Sequence, residues 1–168
     1  MYDMLLQSGR VIDPENKLDG VMDIAIADGS IAAIAASIDS TEAKQTQDLS
    51  GCLVTPGLID LHTHVYWAGT SIGVEPTQYA HQAGTTTLID AGTAGAANFL
   101  GFRKHVIEKA QPRILAFLNI SFPGIYAFSE SVMVGECANL DLLDPRECLK
   151  VARDHSDLIV GIKVRVGR

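Results

Sequence analysis

The chain lacks any apolar stretch long enough to cross a membrane. Its longest nearly apolar run, Ile31 to Ile38, is far shorter than the roughly 20 residues that a bilayer-spanning helix needs. The N-terminus carries Asp3 and has no basic region ahead of an apolar core, so it does not resemble a secretory signal. Positive charge is also scarce. The formal net charge of −7 argues against a nucleic-acid-binding surface and against binding to anionic lipid.

Cysteine is nearly absent. The chain has three, Cys52, Cys137 and Cys148, and no Cys-x-x-Cys spacing. An odd number without paired spacing argues against a disulfide framework and predicts a cytoplasmic protein. An isolated cysteine is usually a small buried hydrophobe, although a nucleophilic role stays open.

The first 54 residues read as short strands. Hydrophobic residues make up 47% of the chain and charged residues 20%, as in ordinary globular proteins. Asp28-Gly29 separates two apolar runs, a strong signal for a two-residue β-hairpin. The polar stretch from Thr41 to Asp48 predicts a surface loop. Residues 1–54 therefore predict a small antiparallel β domain.

From residue 55 onward the pattern becomes an alternation of strands and helices. Strands are predicted at 58–61, 85–90, 114–120 and 158–164, and helices at 76–83, 97–110 and 144–155, with a long connection at 121–143. Such alternation indicates βαβ units and a parallel sheet, hence an α/β fold. Active sites of these folds gather at the carboxyl ends of the strands.

Two histidines, His62 and His64, end the first of these strands. Strand residues two apart point to the same face, so both imidazoles should converge. Neutral imidazole is a common ligand for zinc and similar ions. A pair of solvated loop histidines is the alternative, but the position after Pro56-Gly57 and an apolar strand favours a metal site.

Lys163 lies late in the fourth predicted strand. Its neighbours Ile162 and Val164 should face the helices, which places the lysine on the other side of the sheet. A lysine whose stem follows the strand while its ammonium reaches water is the simplest interpretation. Beside a histidine pair, however, a lysine of lowered pKa could add carbon dioxide, and the resulting carbamate could bridge two divalent ions.

The segment Thr55-Pro56-Gly57-Leu58-Ile59-Asp60-Leu61-His62-Thr63-His64 resembles the opening motif of the amidohydrolase superfamily. The carbamate-lysine branch of that superfamily includes dihydroorotases and hydantoinases. Three further segments, Asp90 to Gly95, Phe117 to Ser121 and Gly161 to Lys163, are most similar to its amidohydrolase/deacetylase metallohydrolases.

The resemblance implies a (βα)8 TIM-type barrel preceded by a small β-sandwich domain. It implies that His62 and His64 bind the more buried metal and that carboxylated Lys163 bridges two divalent ions, most suitably zinc. A metal-bound hydroxide would then cleave a small amide, cyclic amide or acyl ester. Members of this family also use two histidines from strands five and six and an aspartate from strand eight.

The chain ends at Arg168, after the fourth predicted strand, whereas a closed barrel takes roughly 250 residues. The sequence therefore predicts the N-terminal half of a barrel, and we expect the isolated chain to be inactive. The predicted partners are a small amide or acyl substrate and either further copies of the chain or a complementary C-terminal half. A truncated non-catalytic paralogue, a scaffold half that pairs with another chain, and a metal-binding module without hydrolysis stay open as alternatives.

Further candidates surround this predicted centre. Asp60 could orient the histidines or make a structural hydrogen bond. Asp90 and Asn119 lie at strand ends, from which they could reach the substrate pocket. Arg165 could pair with a substrate carboxylate or remain at the surface. The turn from Gly92 to Gly95 could approach substrate with its backbone or form a tight connection.

Overall fold

The computed structural model describes residues 1–166 and divides the chain into two compact units. The first unit comprises Met1–Pro56, and the second begins at Gly57. The boundary predicted from the sequence, after residue 54, falls just before this division. Within residues 1–166, every helix is too short or too polar to cross a membrane.

The first unit is a five-stranded sheet. Its strands are β1 (Met4–Asp13), β2 (Leu18–Ala27), β3 (Ser30–Ala35), β4 (Thr46–Asp48) and β5 (Leu53–Val54). The order is β3-β2-β1-β4, and β5 also pairs with β1. Strands β1, β2 and β3 are antiparallel, whereas β4 and β5 run parallel to β1. The pairing is therefore mixed, and the purely antiparallel arrangement predicted from the sequence is wrong.

The hairpin between β2 and β3 forms as predicted. Asp28 and Gly29 both adopt positive φ, 51° and 72°, which a two-residue type I′ turn requires. The loop predicted over residues 41–48 is wrong in part, because its last residues form β4. The side chains of β4 are all exposed, so no apolar alternation marks this strand. Backbone pairing to β1 holds it in place.

The second unit contains a four-stranded parallel sheet. Its elements are β6 (Leu58–Thr63), α1 (Pro76–Ala83), β7 (Thr85–Gly95), α2 (Phe99–His105), β8 (Arg113–Asn119), β9 (Ala127–Phe128), β10 (Met133–Val134), α3 (Pro145–Asp154) and β11 (Ile159–Lys163). The sheet order β6-β7-β8-β11 follows the chain order. Strands β9 and β10 form a small antiparallel hairpin within the long connection.

Local sequence signals determine where the helices begin and end. Helix α1 has Pro76 in its first turn and ends at Gly84, which has φ of 63°, as expected for these residue types. The Asp144 carboxylate accepts hydrogen bonds from the first backbone N–H groups of α3, which confirms the predicted cap. The helix predicted at 97–110 is shorter, because Val106 leaves helical geometry with φ of −121° and a 3₁₀ turn, Ile107–Lys109, follows.

All three helices cover the same face of the parallel sheet. Their contacts form one apolar cluster, which includes Ala80 of α1, Phe99 and Phe102 of α2, Cys148 of α3, and the strand residues Leu88, Ile114, Ala116, Leu118 and Ile159. A sheet whose neighbours follow chain order, with its helices on one side, has the winding of a barrel. The carboxyl ends of its strands therefore meet at one edge, where Thr63 pairs with Asp90 and Lys163 with Asn119.

Asp23 is a buried carboxylate that joins three segments of the first unit. It accepts hydrogen bonds from the backbone N–H groups of Ser8 and Ile38, both at 2.9 Å, and from Gln7 Nε2 at 3.3 Å. Burial raises the pKa of Asp23, but these hydrogen bonds outweigh burial and hold the pKa below its usual value. The ionised form therefore stabilises the fold.

We predict that Asp23→Asn lowers the free energy of unfolding by about 1–3 kcal/mol at pH 7. A carboxylate of lowered folded-state pKa stabilises the protein above its unfolded pKa of about 4, and this contribution disappears as the pH falls through the folded-state value. Urea denaturation at pH 7, 5 and 3 should therefore show the difference from wild type shrinking at pH 3. Asp28→Asn, at the exposed turn between β2 and β3, is the control. A difference that is constant across this pH range would contradict the interpretation.

Candidate metal centre

The two histidines of the predicted metal site lie at the carboxyl end of β6. Their ring centroids are 5.5 Å apart and their ring planes nearly perpendicular, at 80°. His62 is exposed and His64 is half-buried. Both line a cavity of about 400 Å³, and Lys163 of β11 lines the same cavity. The structure therefore brings together the three residues that the sequence predicts as metal ligands, from opposite edges of the parallel sheet.

His64 is oriented by a chain of buried hydrogen bonds. Its Nδ1 lies 2.8 Å from Thr93 Oγ1, and the Thr93 hydroxyl donates to Asp90 Oδ2 at 2.7 Å. A hydroxyl has one proton, so a Thr93 that donates to Asp90 must accept from His64. Nδ1 then carries the imidazole proton and Nε2 has a free lone pair, which is the tautomer that a metal ligand needs.

Asp90, predicted to lie near the pocket, is fully buried behind it. It also accepts hydrogen bonds from the backbone N–H groups of Val65 and Thr93, at 2.9 and 2.7 Å. Burial raises the pKa of Asp90, and the hydrogen bonds from Thr93 and Val65 oppose that rise. Burial also lowers the pKa of His64. A neutral imidazole at neutral pH is the form that binds metal.

The side chains around this cavity fit a metal ion only if the lysine contributes. Within residues 1–166, no three His, Cys, Asp or Glu side chains come close enough together to hold an ion. His62 and His64 are thus two nitrogen ligands without a conventional third. Lys163 in the same cavity would complete the set only after it loses its proton, because a protonated lysine has no lone pair.

Gly92 makes room for Lys163 beside the cavity. A Cβ atom at Gly92 would lie 2.5 Å from Lys163 Cβ, and Gly92 has φ of 85°. Gly95 likewise lies against backbone atoms of the segment after β8. Residues 92–95 therefore form the end of strand β7 rather than a turn, and Gly92 leaves space there for Lys163. The prediction that Ile162 and Val164 face the helices is wrong. Both line cavities together with Lys163, because the register of β11 shifts between Ile159 and Gly161 and breaks its alternation.

Asp60 and Asn119 have structural roles. The Asp60 carboxylate accepts the His62 backbone N–H at 3.0 Å and the Tyr79 hydroxyl at 2.6 Å, so it ties β6 to α1. The hydrogen bond from Tyr79 lowers the pKa of Asp60. Asn119 is buried, donates to the Gly92 carbonyl and accepts from the Ser121 N–H. Asn119 therefore lies outside the lining of this cavity, and its amide joins β7 to β8.

Arg165 lines the cavity, as the sequence suggests. It forms an ion pair with Glu136, which no sequence pattern indicated. Arg165 Nη1 lies 2.6 Å from Glu136 Oε2, and Glu136 also lines the cavity. Glu136 lies in the long connection, where no motif or periodicity marks it. An acidic residue directly after a glycine, Gly135, is the only local signal, and it is too common to be informative.

The fold and the site together define an α/β protein of the barrel type, with a histidine pair and a lysine in one cavity at the strand ends. No family model matches the chain. A deacetylase of Brucella anthropi is 40% identical over 148 residues, which are 88% of this chain and 36% of the deacetylase. A dihydroorotase crystal structure is similar to this chain, with a TM-score of 0.83 at 32% identity. The match covers 98% of this chain and 43% of the dihydroorotase chain.

A crystal structure of an adenine deaminase is also similar, with a TM-score of 0.79 at 34% identity over the whole chain and 42% of the deaminase. These matches show that the chain belongs to the amidohydrolase superfamily, which confirms the predicted family and the partial barrel. The chain spans less than half the length of these relatives.

We predict that Thr93→Val weakens zinc binding by about 10–100-fold, because the substitution removes the hydrogen-bond partner that orients His64. Isothermal titration calorimetry with zinc chloride measures the affinity. Thr86→Val, at an exposed position of the same strand, is the control and should bind zinc like wild type. Equal affinities for wild type and Thr93→Val would show that the hydrogen-bond chain does not position the ligand.

We predict that Gly92→Ala destabilises the protein by about 2 kcal/mol more than Gly84→Ala. Both glycines have positive φ, but a Cβ at Gly84 would have no neighbour within 4 Å. Both variants carry the strain that a positive φ imposes on alanine, and Gly92→Ala adds the contact with Lys163. Urea denaturation followed by circular dichroism gives both values. Equal losses would mean that Gly92 does not provide space for the lysine.

Proposed function

We propose that this chain forms part of a metal-dependent hydrolase that cleaves a small amide, cyclic amide or acyl ester. The observation that carries the proposal is the shared cavity of His62, His64 and Lys163, with the Nδ1 of His64 fixed by Thr93. The names of the relatives, deacetylase and dihydroorotase, support an acyl or cyclic-amide substrate. The relatives extend far beyond the matched region, so the activity belongs to the protein as a whole.

In this proposal the chain supplies the first ligands of a binuclear centre. His62 and His64 would hold a divalent ion through ring nitrogens. The Lys163 amine, once neutral, would add carbon dioxide and release one proton, giving a carbamate that would supply oxygen ligands. Mixed imidazole and carboxylate-like ligands suit zinc, with manganese, iron and cobalt as alternatives. When bound, such ions polarise a carbonyl and lower the pKa of water.

The remaining residues position these ligands. Thr93 and Asp90 hold the His64 proton at Nδ1, and Asp60 fixes the backbone at His62. The resemblance to the family also implies two more histidines and an aspartate. His81, His105 and His155 do not line the cavity and cannot serve. We therefore propose that the 168 residues alone bind metal without turning over substrate, and that the missing ligands come from a complementary segment or another chain in the cytoplasm.

The proposal is tested by metal binding and carbamate formation in the purified chain. We expect wild type to bind zinc and His62→Ala and His64→Ala each to bind it at least about tenfold more weakly, since each loses a ligand. His105→Ala, on the exposed part of α2, is the matched control. In ¹³C-bicarbonate, a carbamate carbon signal should appear for wild type and be absent from Lys163→Met.

Two results would count against the proposal. Zinc binding that survives both histidine substitutions would place the metal elsewhere, and a chain without the ¹³C signal under saturating zinc would exclude the carbamate. The same zinc-loaded samples should hydrolyse N-acetyl amino acids no faster than buffer. Turnover above that rate would show that residues 1–168 already contain a complete catalytic set.

A further inference from the structure

Two Asp-Gly dipeptides lie in the first unit, Asp19-Gly20 and Asp28-Gly29, and the sequence contains no Asn-Gly. In an Asp-Gly pair the glycine nitrogen can attack the carboxyl group of the preceding side chain, because glycine has no Cβ to hinder the approach. The first pair lies within strand β2, whereas the second forms the turn between β2 and β3. The two pairs therefore share one chemistry in different structural surroundings.

The Asp19 carboxyl group is engaged by an ion pair. Arg10 Nε and Nη2 donate to its two oxygens, at 2.8 and 3.1 Å. The hydrogen bonds from Arg10 lower the pKa of Asp19, and an ionised carboxylate has no hydroxyl group to lose as water. Gly20 also lies in the β1–β2 ladder, opposite Val11. Attack by the Gly20 nitrogen therefore requires loss of the ion pair and local opening of the sheet.

The Asp28-Gly29 turn has neither of these restraints. Within residues 1–166, the Asp28 carboxylate accepts no hydrogen bond and the Gly29 N–H donates none. Both residues are exposed, and a Cβ placed on Gly29 would have no neighbour within 4 Å. Exposed loop tips open at little cost in free energy. The nitrogen and the carboxyl group are thus both available, and the turn has space in which to rearrange.

We propose that Asp28 is a site of spontaneous isomerisation to isoaspartate, and that the fold protects Asp19 from the same reaction. The Gly29 nitrogen bonds to the Asp28 carboxyl carbon, and the N–H proton leaves with the carboxyl hydroxyl as water. The product is a five-membered succinimide. Water then opens the ring at the main-chain carbonyl, so that the chain continues through the former side chain. One water leaves and one enters, so the reaction needs no oxidant, reductant or cofactor.

Isomerisation removes the turn that connects β2 to β3. A two-residue type I′ turn requires positive φ at both residues, as Asp28 and Gly29 have at 51° and 72°. The isoaspartyl linkage adds a methylene carbon to this backbone. The Asp28 N–H also donates to Asp3 Oδ2 at 2.9 Å, and the longer backbone displaces this donor. Strand β3 is at the edge of its sheet, so it is the element that the modification releases.

The test follows isoaspartate formation in the full chain during several weeks at pH 6. Tryptic peptides are analysed by mass spectrometry with electron-transfer fragmentation, which yields fragments specific for isoaspartate and so assigns it to Asp19 or Asp28. Native wild type should accumulate isoaspartate at least about tenfold faster at Asp28, because opening a strand costs more than opening a turn. In urea that unfolds the chain, the two rates should be similar.

Two variants test the physical explanation. Asp28→Glu keeps the charge but cannot form the five-membered ring, so the isoaspartate at this position should disappear. Arg10→Met releases the Asp19 carboxylate and should raise isomerisation at Asp19 several-fold without changing that at Asp28. Similar native rates at the two sites, or no isoaspartate at Asp28, would overturn the proposal. A preference that persists in urea, or an Asp19 rate unchanged by Arg10→Met, would overturn protection by the fold and its ion pair.

Hydrogen-exchange mass spectrometry tests the structural consequence. Aged wild type should exchange faster than fresh protein over β3 and the end of β2, with no change in the parallel sheet of the second unit. Aged Asp28→Glu is the matched control and should exchange like its fresh sample. Unchanged exchange over β3 in wild type that carries isoaspartate would contradict the release of this strand.

Discussion

The candidate centre depends on one buried carboxylate, that of Asp90. A charged group taken out of water costs several kcal/mol unless hydrogen bonds replace its hydration. Asp90 receives three, from the N–H of Val65, the N–H of Thr93 and the Thr93 hydroxyl. The first joins the segment after β6 to β7, and the last sets the proton of His64. Asp90 therefore links the segment after β6 to β7 and also sets the tautomer of His64.

The parallel sheet brings Lys163, the third candidate ligand, close to the two histidines. Strands β6 and β11 lie at opposite edges of the four-stranded sheet, yet His62 and Lys163 line one cavity. Twist in a sheet covered on one face by three helices curves its two edges toward each other. Gly92 then leaves space at the end of β7 for the Lys163 stem. A side chain at that position would block the approach of the lysine to the histidines.

Patterns local to the chain predicted much of the fold. The Asp28-Gly29 hairpin, the bounds of α1 and the Asp144 cap all follow from short-range chemistry, namely positive φ, helix capping and the missing N–H of proline. Strand β4 could not be predicted, because its side chains are all exposed and its stability comes from backbone pairing to a strand about forty residues away. The length of β7 was underestimated for a related reason, since its last residues pair with β8 beyond the apolar run that marks it.

The sequence by itself determined the strand–helix alternation, the histidine pair at a strand end and the lysine at another, because residue spacing and hydrophobic periodicity are local properties. It also carried the family resemblance. Only the tertiary structure decided that Thr93 and Asp90 orient His64, that Asn119 is occupied between strands, and that Glu136 reaches the cavity to meet Arg165. The contacts of His64 with Thr93, Asn119 with Gly92 and Arg165 with Glu136 join residues 27 to 29 positions apart. No short-range pattern encodes which side chains meet once strands and loops have packed.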